Sequence, residues 1–256
     1  MKLQRILNRL QKLHPKEIDL SLDRIKNICK KLGNPQDEVR CIQVCGTNGK
    51  GSTISFLRSI LREANIKCNV YTSPHVKSIN ERFVYDDEMI SDNDLADLLS
   101  KIEEVNNNQP LTYFEALTAA FFYGCKKYKE NLVIAEFGLF GRGDAVNILK
   151  KNLCNIVTSC SEDHLDWLPK NDRTIERIIF EKTSSLLNSN IVVAKQDSSE
   201  IVECIKKNIS SNSANKYFFN ENYNFVLKEN NFFYYEDKYG GLKIPKPNLN
   251  GQFQLE

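Results

Sequence analysis

No stretch of this chain stays apolar for the roughly 20 residues that a bilayer-spanning helix needs. A secretory signal is missing as well. Leu3, Ile6, Leu7, Leu10 and Leu13 make one helical face, but lysine and arginine interrupt it. Charge of one sign is also lacking. The 35 Lys and Arg nearly balance 33 Asp and Glu, and the net +2 is spread along the chain, which argues against nucleic acid or an acidic membrane as partner. The eight cysteines include no CxxC pair, so neither a disulfide framework nor a zinc site is expected, and buried reduced thiols are. Histidine is scarce, at three residues. A cytoplasmic protein is expected. What is present is 256 residues, 41% hydrophobic and 27% charged, enough for one large globular domain.

The most informative stretch is Val44-Cys-Gly-Thr-Asn-Gly-Lys-Gly-Ser52. Apolar Cys41 to Cys45 precedes it, and Ile54, Leu57, Ile60 and Leu61 follow at helical spacing within 53–65. Strand, glycine loop and helix together form the setting of a phosphate cradle. Backbone N–H groups face the phosphates there, and the helix N-terminus favours negative charge. Lys50 adds a point charge for the β- and γ-phosphates of a nucleotide, and Ser52 offers a hydroxyl for Mg²⁺. The general pattern puts Ser or Thr directly after the lysine, whereas Gly51 intervenes here. A purely structural glycine turn is the competing reading.

The rest of the chain alternates between two textures. Residues 68–71, 132–136, 155–159 and 191–194 read as short apolar strands. Helical spacing appears over 91–105, from 112 onward, over 174–187 and over 200–208, and Thr112-Tyr-Phe-Glu115 has the form of a capping box. The alternation predicts an α/β fold: a P-loop-type, largely parallel sheet with helices on both faces. In such sheets ligands bind beyond the carboxyl ends of the strands. From about Lys216 aromatic runs at 225–227 and 232–235 predict a small antiparallel hairpin region, and Pro245 to Gly251 reads as a linker.

Several residues with chemical potential fall just after strands. Glu136 ends an apolar strand before a glycine-rich loop, where a carboxylate can bind a cation; a solvated strand end is the alternative. Asp163-His164 follows the strand at 155–159, so His164 is read as a ligand rather than a packed histidine. His14 is given no role. Pro74 restricts its predecessor to extended backbone and so presents Ser73 and His75 from a fixed loop. Glu81-Arg82 follows, with a surface ion pair as the alternative. Lys182, by spacing alone, is an ordinary surface lysine.

Together these segments resemble the folylpolyglutamate synthase/dihydrofolate synthase family, a branch of the Mur-type ligases. The loop Gly46-Thr-Asn-Gly-Lys-Gly-Ser52 matches the Mur-type version of the phosphate loop, extra glycine included. Tyr71-Thr-Ser-Pro-His75 with Glu81-Arg82, Leu111-Thr-Tyr-Phe-Glu115, and Glu136-x-Gly-Leu-x-Gly-Arg-x-Asp144-Ala-x-Asn147 single out the folate branch. Asp163-His164, Asp166-Trp167-Leu168, Glu181-Lys182, Leu22-Asp-Arg24 and Leu32-Gly-Asn-Pro35 also fit. The likeness runs from about residue 15 to the end.

The resemblance implies that Gly46, Thr47, Asn48, Gly49, Lys50, Gly51 and Ser52 bind ATP. It implies that Ser52, Ser73 and Glu136 surround one Mg²⁺. Glu136 and His164 would help hold a second, with Lys182 carbamylated into an anionic ligand. Lys50, His164 and Lys182 would be the catalytic set. His75, Arg82, Thr112, Tyr113, Phe114, Glu115, Gly143, Asp144 and Ala145 would bind substrate, with Phe114 packed on a pterin ring and Asp144 on its amino-pyrimidine edge. The implied reaction joins L-glutamate to dihydropteroate or a folate through an acyl phosphate, releasing ADP and phosphate, in a monomer. Departures from the family are Phe140 and Gly143, where Gly and Leu are usual, a longer stretch between His164 and Lys182, and Thr183-Ser-Ser where Ala-Gly-Ile is usual. Residues 1–244 are expected to form the ATP-binding domain and 245–256 the start of a linker. A C-terminal domain would then be absent, leaving a fragment that is a poor ligase by itself. A Mur-type ligase for another substrate, or a nucleotide- or folate-binding protein without ligase activity, are the alternatives.

Overall fold

The apolar runs become strands of one sheet in the computed structural model, which describes residues 2–14, 16, 19–228, 232–249 and 254. The N-terminal half holds α1 (Lys2–Leu10), α2 (Asp23–Lys31), β1 (Arg40–Cys45), α3 (Lys50–Glu63), β2 (Cys68–Tyr71), β3 (Phe83–Tyr85), β4 (Glu88–Met89), α4 (Asp92–Asn106) and α5 (Tyr113–Cys125). The remainder holds β5 (Leu132–Glu136), β6 (Cys154–Val157), α6 (Ile175–Thr183), β7 (Asn190–Val193), α7 (Ser199–Asn208), β8 (Lys216–Phe218), β9 (Tyr223–Lys228), β10 (Phe232–Asp237) and β11 (Gly240–Pro245). The main sheet has the order β4-β3-β2-β5-β1-β6-β7-β8 and is parallel except at β3 and β4. Its four central strands, β2, β5, β1 and β6, bring the loops that follow them side by side at one edge.

Every residue of β2 and β5 is buried, because helices cover both faces. On one face Ile54 of α3 packs with Val44, Val70 and Ile134. On the other, α4 contributes Leu95, Leu99 and Ile102, and α5 contributes Leu117, Phe121 and Phe122. The run of α5 is largely apolar, and ten of its thirteen residues are buried, all but Tyr113, Phe114 and Tyr123. Phe121 stacks on Tyr71 at 4.9 Å and on Tyr85 at 5.5 Å. The capping box at its start is complete, with Thr112 and Glu115 each accepting the other's backbone N–H. Among the described residues no helix is long and apolar enough to cross a membrane.

The structure shifts several expectations. Helix α3 begins at Lys50, three residues before the expected 53, and Ile60, one of the residues at helical spacing, is 66% exposed. The expected strand 155–159 and helix 174–187 end early, at Val157 and Thr183. Residues 216–218 are not part of the hairpin region, since β8 pairs in parallel with β7 at the edge of the main sheet. The hairpin itself gains a third strand, giving the antiparallel order β11-β10-β9. That strand runs to Pro245, where the linker was expected to begin. Most of the rest of the expected linker, 250–253 and 255–256, lies outside the described residues.

Candidate functional site

The glycine loop is held open by conformation and by its neighbours. Gly46 has φ +137°, and Gly49 has φ +86° at the N-cap of α3. No side chain caps that helix, so its first-turn amides are left for an anion. The amides of Thr47 and Asn48 both donate to the Ser159 carbonyl, which fastens the loop to the end of β6. Thr47 Oγ1 donates to the Ser161 carbonyl and accepts from its amide, while exposed Asn48 reaches Ser161 Oγ at 3.3 Å. Lys50 Nζ folds back onto the carbonyls of Gly46 and Thr47, at 3.1 and 3.0 Å, and lies 3.9 Å from Glu136 Oε1. Gly51 and Ser52 follow in the first turn of α3, Ser52 half-buried.

Glu136 is 5% exposed, and burial raises its carboxyl above the ordinary range, although the Ser73 amide and Lys50 pull it down. Its Oε2 accepts from the Ser73 backbone at 3.0 Å. The Ser73 hydroxyl beside it is buried and has no hydrogen-bond partner. A buried carboxylate and an orphaned hydroxyl side by side are the kind of oxygen pair a hard cation can satisfy. No three of His, Cys, Asp and Glu come together as a metal cluster among the described residues. A cation held here would therefore not rest on three such side chains, and Glu136 with the Ser73 hydroxyl is the oxygen pair on offer.

Lys182 is not the surface lysine its spacing suggests. It is 1% exposed, and its Nζ donates to the carbonyls of Gly46 at 3.0 Å and Leu139 at 3.1 Å. Burial, then the charge of Lys50 on the same Gly46 carbonyl, pushes its pKa down. What places it there is its neighbour Glu181. That carboxylate holds Arg142 at 2.7 Å and Arg177 at 2.5 Å, while the Glu181 carbonyl accepts from the amides of Gly141 and Arg142. The loop after β5 is thus strapped to α6. His164 stands in a left-handed conformation with Nε2 3.0 Å from Asp163, and Phe140 lies edge-on to it at 6.2 Å. Burial lowers its pKa. Its nitrogen is thus engaged by Asp163 and not by Glu136, although Ser73 and His164 line one cavity.

That cavity is about 250 Å³. Of the nine residues predicted to bind substrate, eight line it and His75 does not. The Arg82 guanidinium donates from Nε to Nδ1 of His75 at 3.0 Å, so His75 serves Arg82. Glu81 makes no surface ion pair with Arg82. Its carboxylate takes the amides of Val76, Lys77 and Ser78. Asp144 lines the cavity as expected, and its two oxygens also accept the amides of Gly138, Leu139 and Val146, which holds the loop. Asp19, Leu20 and Trp167 line the cavity without having been predicted to do so, and Leu22-Asp-Arg24 was the one signal near the first two.

Burial pushes the Asp144 carboxyl up to about 6, against the downward pull of its three amides. A raised carboxyl pKa means stability that is fully present below the free value of 3.8 and lost as pH rises through 6. The amide NMR shifts of Gly138, Leu139 and Val146 are expected to titrate together with a midpoint near 6, and an Asp144→Asn variant should show no such step.

Comparison with known proteins agrees with this arrangement. The Mur ligase middle domain profile matches residues 44–256. Dihydrofolate synthase/folylpolyglutamate synthase of Bacillus subtilis is 34% identical over 201 residues, which are 75% of this chain and 46% of that protein. Among solved structures, E. coli FolC in complex with DHPP and ADP is 30% identical with a TM-score of 0.87, covering 98% of this chain and 59% of that one. The bifunctional folylpolyglutamate synthase/dihydrofolate synthase of Yersinia pestis, complexed with AMPPNP and Mn ion, is 29% identical with a TM-score of 0.85, covering 98% and 60%. The chain spans about half the length of the curated relatives it matches. With its glycine loop, carboxylate and folate-branch segments gathered at one sheet edge, the chain belongs to the Mur ligase middle-domain family, in the folylpolyglutamate synthase/dihydrofolate synthase branch.

Proposed function

We propose that this chain supplies the nucleotide- and folate-binding part of an ATP-dependent ligase that joins L-glutamate to dihydropteroate or to a folate. The observation that carries the reading is the meeting of three features at one edge. An uncapped helix N-terminus with Lys50, the buried Glu136 beside the orphaned Ser73 hydroxyl, and an apolar-walled cavity all adjoin there. The first-turn amides of α3 and Lys50 hold the phosphates of ATP. Ser52, Ser73 and Glu136 would hold Mg²⁺, which when bound neutralises charge on the transferring phosphoryl group.

The cavity, with Phe114 on its wall and Arg82 at its rim, takes the pteroate end and aims the substrate carboxylate at the γ-phosphate. Phosphoryl transfer gives an acyl phosphate, and the amino group of glutamate displaces phosphate to form the amide. Lys182 has a depressed pKa, so more of it is neutral amine, the form that carbon dioxide converts to a carbamate. As a carbamate it would join His164 near a second Mg²⁺. Relatives crystallised with ADP, and with AMPPNP and Mn ion, support the nucleotide and cation parts of the reading.

The test is ATP-dependent incorporation of radiolabelled L-glutamate into dihydropteroate and into folate, carried out with the full gene product. Incorporation into one of them, with ADP released in equal amount, is expected. ATP binding without glutamate transfer to either would remove the ligase reading.

A further inference from the structure

Resting on the nucleotide part of that reading, we infer that Gln196, between β7 and α7, is a positioning residue of the phosphate cradle. Its side-chain amide supplies one further rung of the main sheet beyond the end of β7. That rung holds Ser159 where the Ser159 carbonyl fastens the glycine loop around a nucleotide's phosphates.

The bonds have the form of a parallel ladder. Strands β6 and β7 pair up to Val157 and Val193, and the Ala194 amide still donates to the Val157 carbonyl at 2.9 Å. Farther on, a side chain continues the pattern. Gln196 Oε1 accepts the Cys160 amide at 2.9 Å, and Nε2 donates to the Thr158 carbonyl at 3.2 Å. A residue in a parallel strand makes two such bonds, one to each neighbour of the residue it faces. The residue faced here is Ser159. Residues 158 and 160 are thus held from the β7 side. The Ser159 carbonyl is turned to the β1 side, where the amides of Thr47 and Asn48 donate to it at 2.8 and 3.2 Å.

The orientation of the amide is set by its partners. Nε2 also donates to the Ala194 carbonyl at 2.9 Å. The reverse orientation would put Oε1 against two carbonyls and the NH₂ against an N–H, so only the observed one satisfies all three partners. The loop that carries Gln196 is short and tied at both ends. Val193 lies in β7, and the Ser198 hydroxyl caps α7 by accepting from the Ile201 amide. Such a base lets one side chain fix another segment. The segment it fixes has little slack. The Thr158 hydroxyl is bonded to the Cys45 carbonyl at 3.1 Å and fills the space beside Gly46. Losing the rung on one side of Ser159 therefore loosens the acceptor on the other. Gln196, Ser159 and the loop amides all lie outside the 250 Å³ cavity, so the effect should fall on the nucleotide and not on the pteroate end.

The experiment measures ADP and dihydropteroate affinities of the full gene product by calorimetry, with hydrogen–deuterium exchange of the peptides covering 44–52 and 132–136. Gln196→Ala is expected to weaken ADP binding about tenfold, the scale of one lost hydrogen bond. Exchange should speed up in 44–52 and stay as it was in 132–136, and dihydropteroate affinity should stay within about threefold. Gln196→Glu has the same size and keeps an acceptor for Cys160. It turns a carboxylate on the carbonyls of Thr158 and Ala194, so it should lose at least as much ADP affinity as Gln196→Ala. Unchanged ADP affinity in both variants would overturn the rung while leaving the nucleotide reading intact. Equal losses for ADP and dihydropteroate would also overturn it, because they would mark a general loosening of the fold. An unsubstituted protein that binds no ADP would overturn the nucleotide reading and the rung with it.

Discussion

Gly46→Ala is expected to cut ATP affinity more than a hundredfold and to destabilise the chain by about 3 kcal/mol, the upper end for one forced backbone conformation. The reason is steric on two counts. Gly46 has φ +137°, which a residue with a Cβ rarely adopts. The added Cβ would also lie 2.0 Å from Thr158 Oγ1 and 3.2 Å from the Ser159 carbonyl oxygen. Thr158 cannot simply turn aside, because its hydroxyl donates to the Cys45 carbonyl at 3.1 Å. The Ser159 carbonyl is the acceptor for the amides of Thr47 and Asn48, so moving it undoes the loop. Gly46 also supplies the carbonyl that Lys50 and Lys182 share. Gly51→Ala is the contrast for stability. Nothing lies within 4 Å of its added Cβ, and a helical position gains about 0.5–1 kcal/mol from the change. Urea unfolding and nucleotide titration of both variants measure the difference. Equal stability for Gly46→Ala and the unsubstituted chain would show that the loop is not held in this conformation.

Glu136→Gln should separate stability from binding. Burial raises the Glu136 carboxyl pKa, so the fold prefers its protonated form. The stability tied to this group is present at low pH and is lost as pH rises through its raised carboxyl range. Glutamine carries no charge and keeps an oxygen for the Ser73 amide, so the variant should be more stable than the parent at pH 7. Its divalent-cation affinity should nevertheless fall about a hundredfold, because the carboxylate bonded to the Ser73 amide is gone and the orphaned Ser73 hydroxyl loses that anionic neighbour. Mn²⁺ binding in the presence of ADP, followed by electron paramagnetic resonance, reads the second effect, and thermal unfolding at pH 5 and pH 7 the first. A gain in stability with a loss of cation is the pattern of a group retained for function. A variant that kept its cation affinity would place the metal elsewhere.

Much of the site could be read from residue order because it uses local chemistry. The glycines of 46–49, the capping box at Thr112 and the carboxylate closing β5 each announce themselves within a few residues. What escaped depends on distant partners. Lys182 is buried because Glu181 binds Arg142 and Lys182 itself reaches Leu139 in the loop after β5, links that join residues 39 and 43 positions apart. His75 sits outside the cavity because Arg82 recruits it. Asp19 and Leu20 enter the site through Arg24 and the space above Gly143, and neither has a signature of its own.

The strands at the sheet edges show the same division. Alternation of apolar runs and helical faces was enough to specify a parallel α/β sheet, since each short strand must be covered on both faces. It did not say that 216–218 would join that sheet while 223–245 would form another, because three residues carry too little pattern to choose a partner. The sequence by itself thus determined the elements, their caps and the phosphate cradle, all of which arise from contacts between near neighbours. Only the tertiary structure decided which buried cation, histidine and N-terminal segment meet at the sheet's edge, because their energies come from charges and shapes that the chain brings together only when folded.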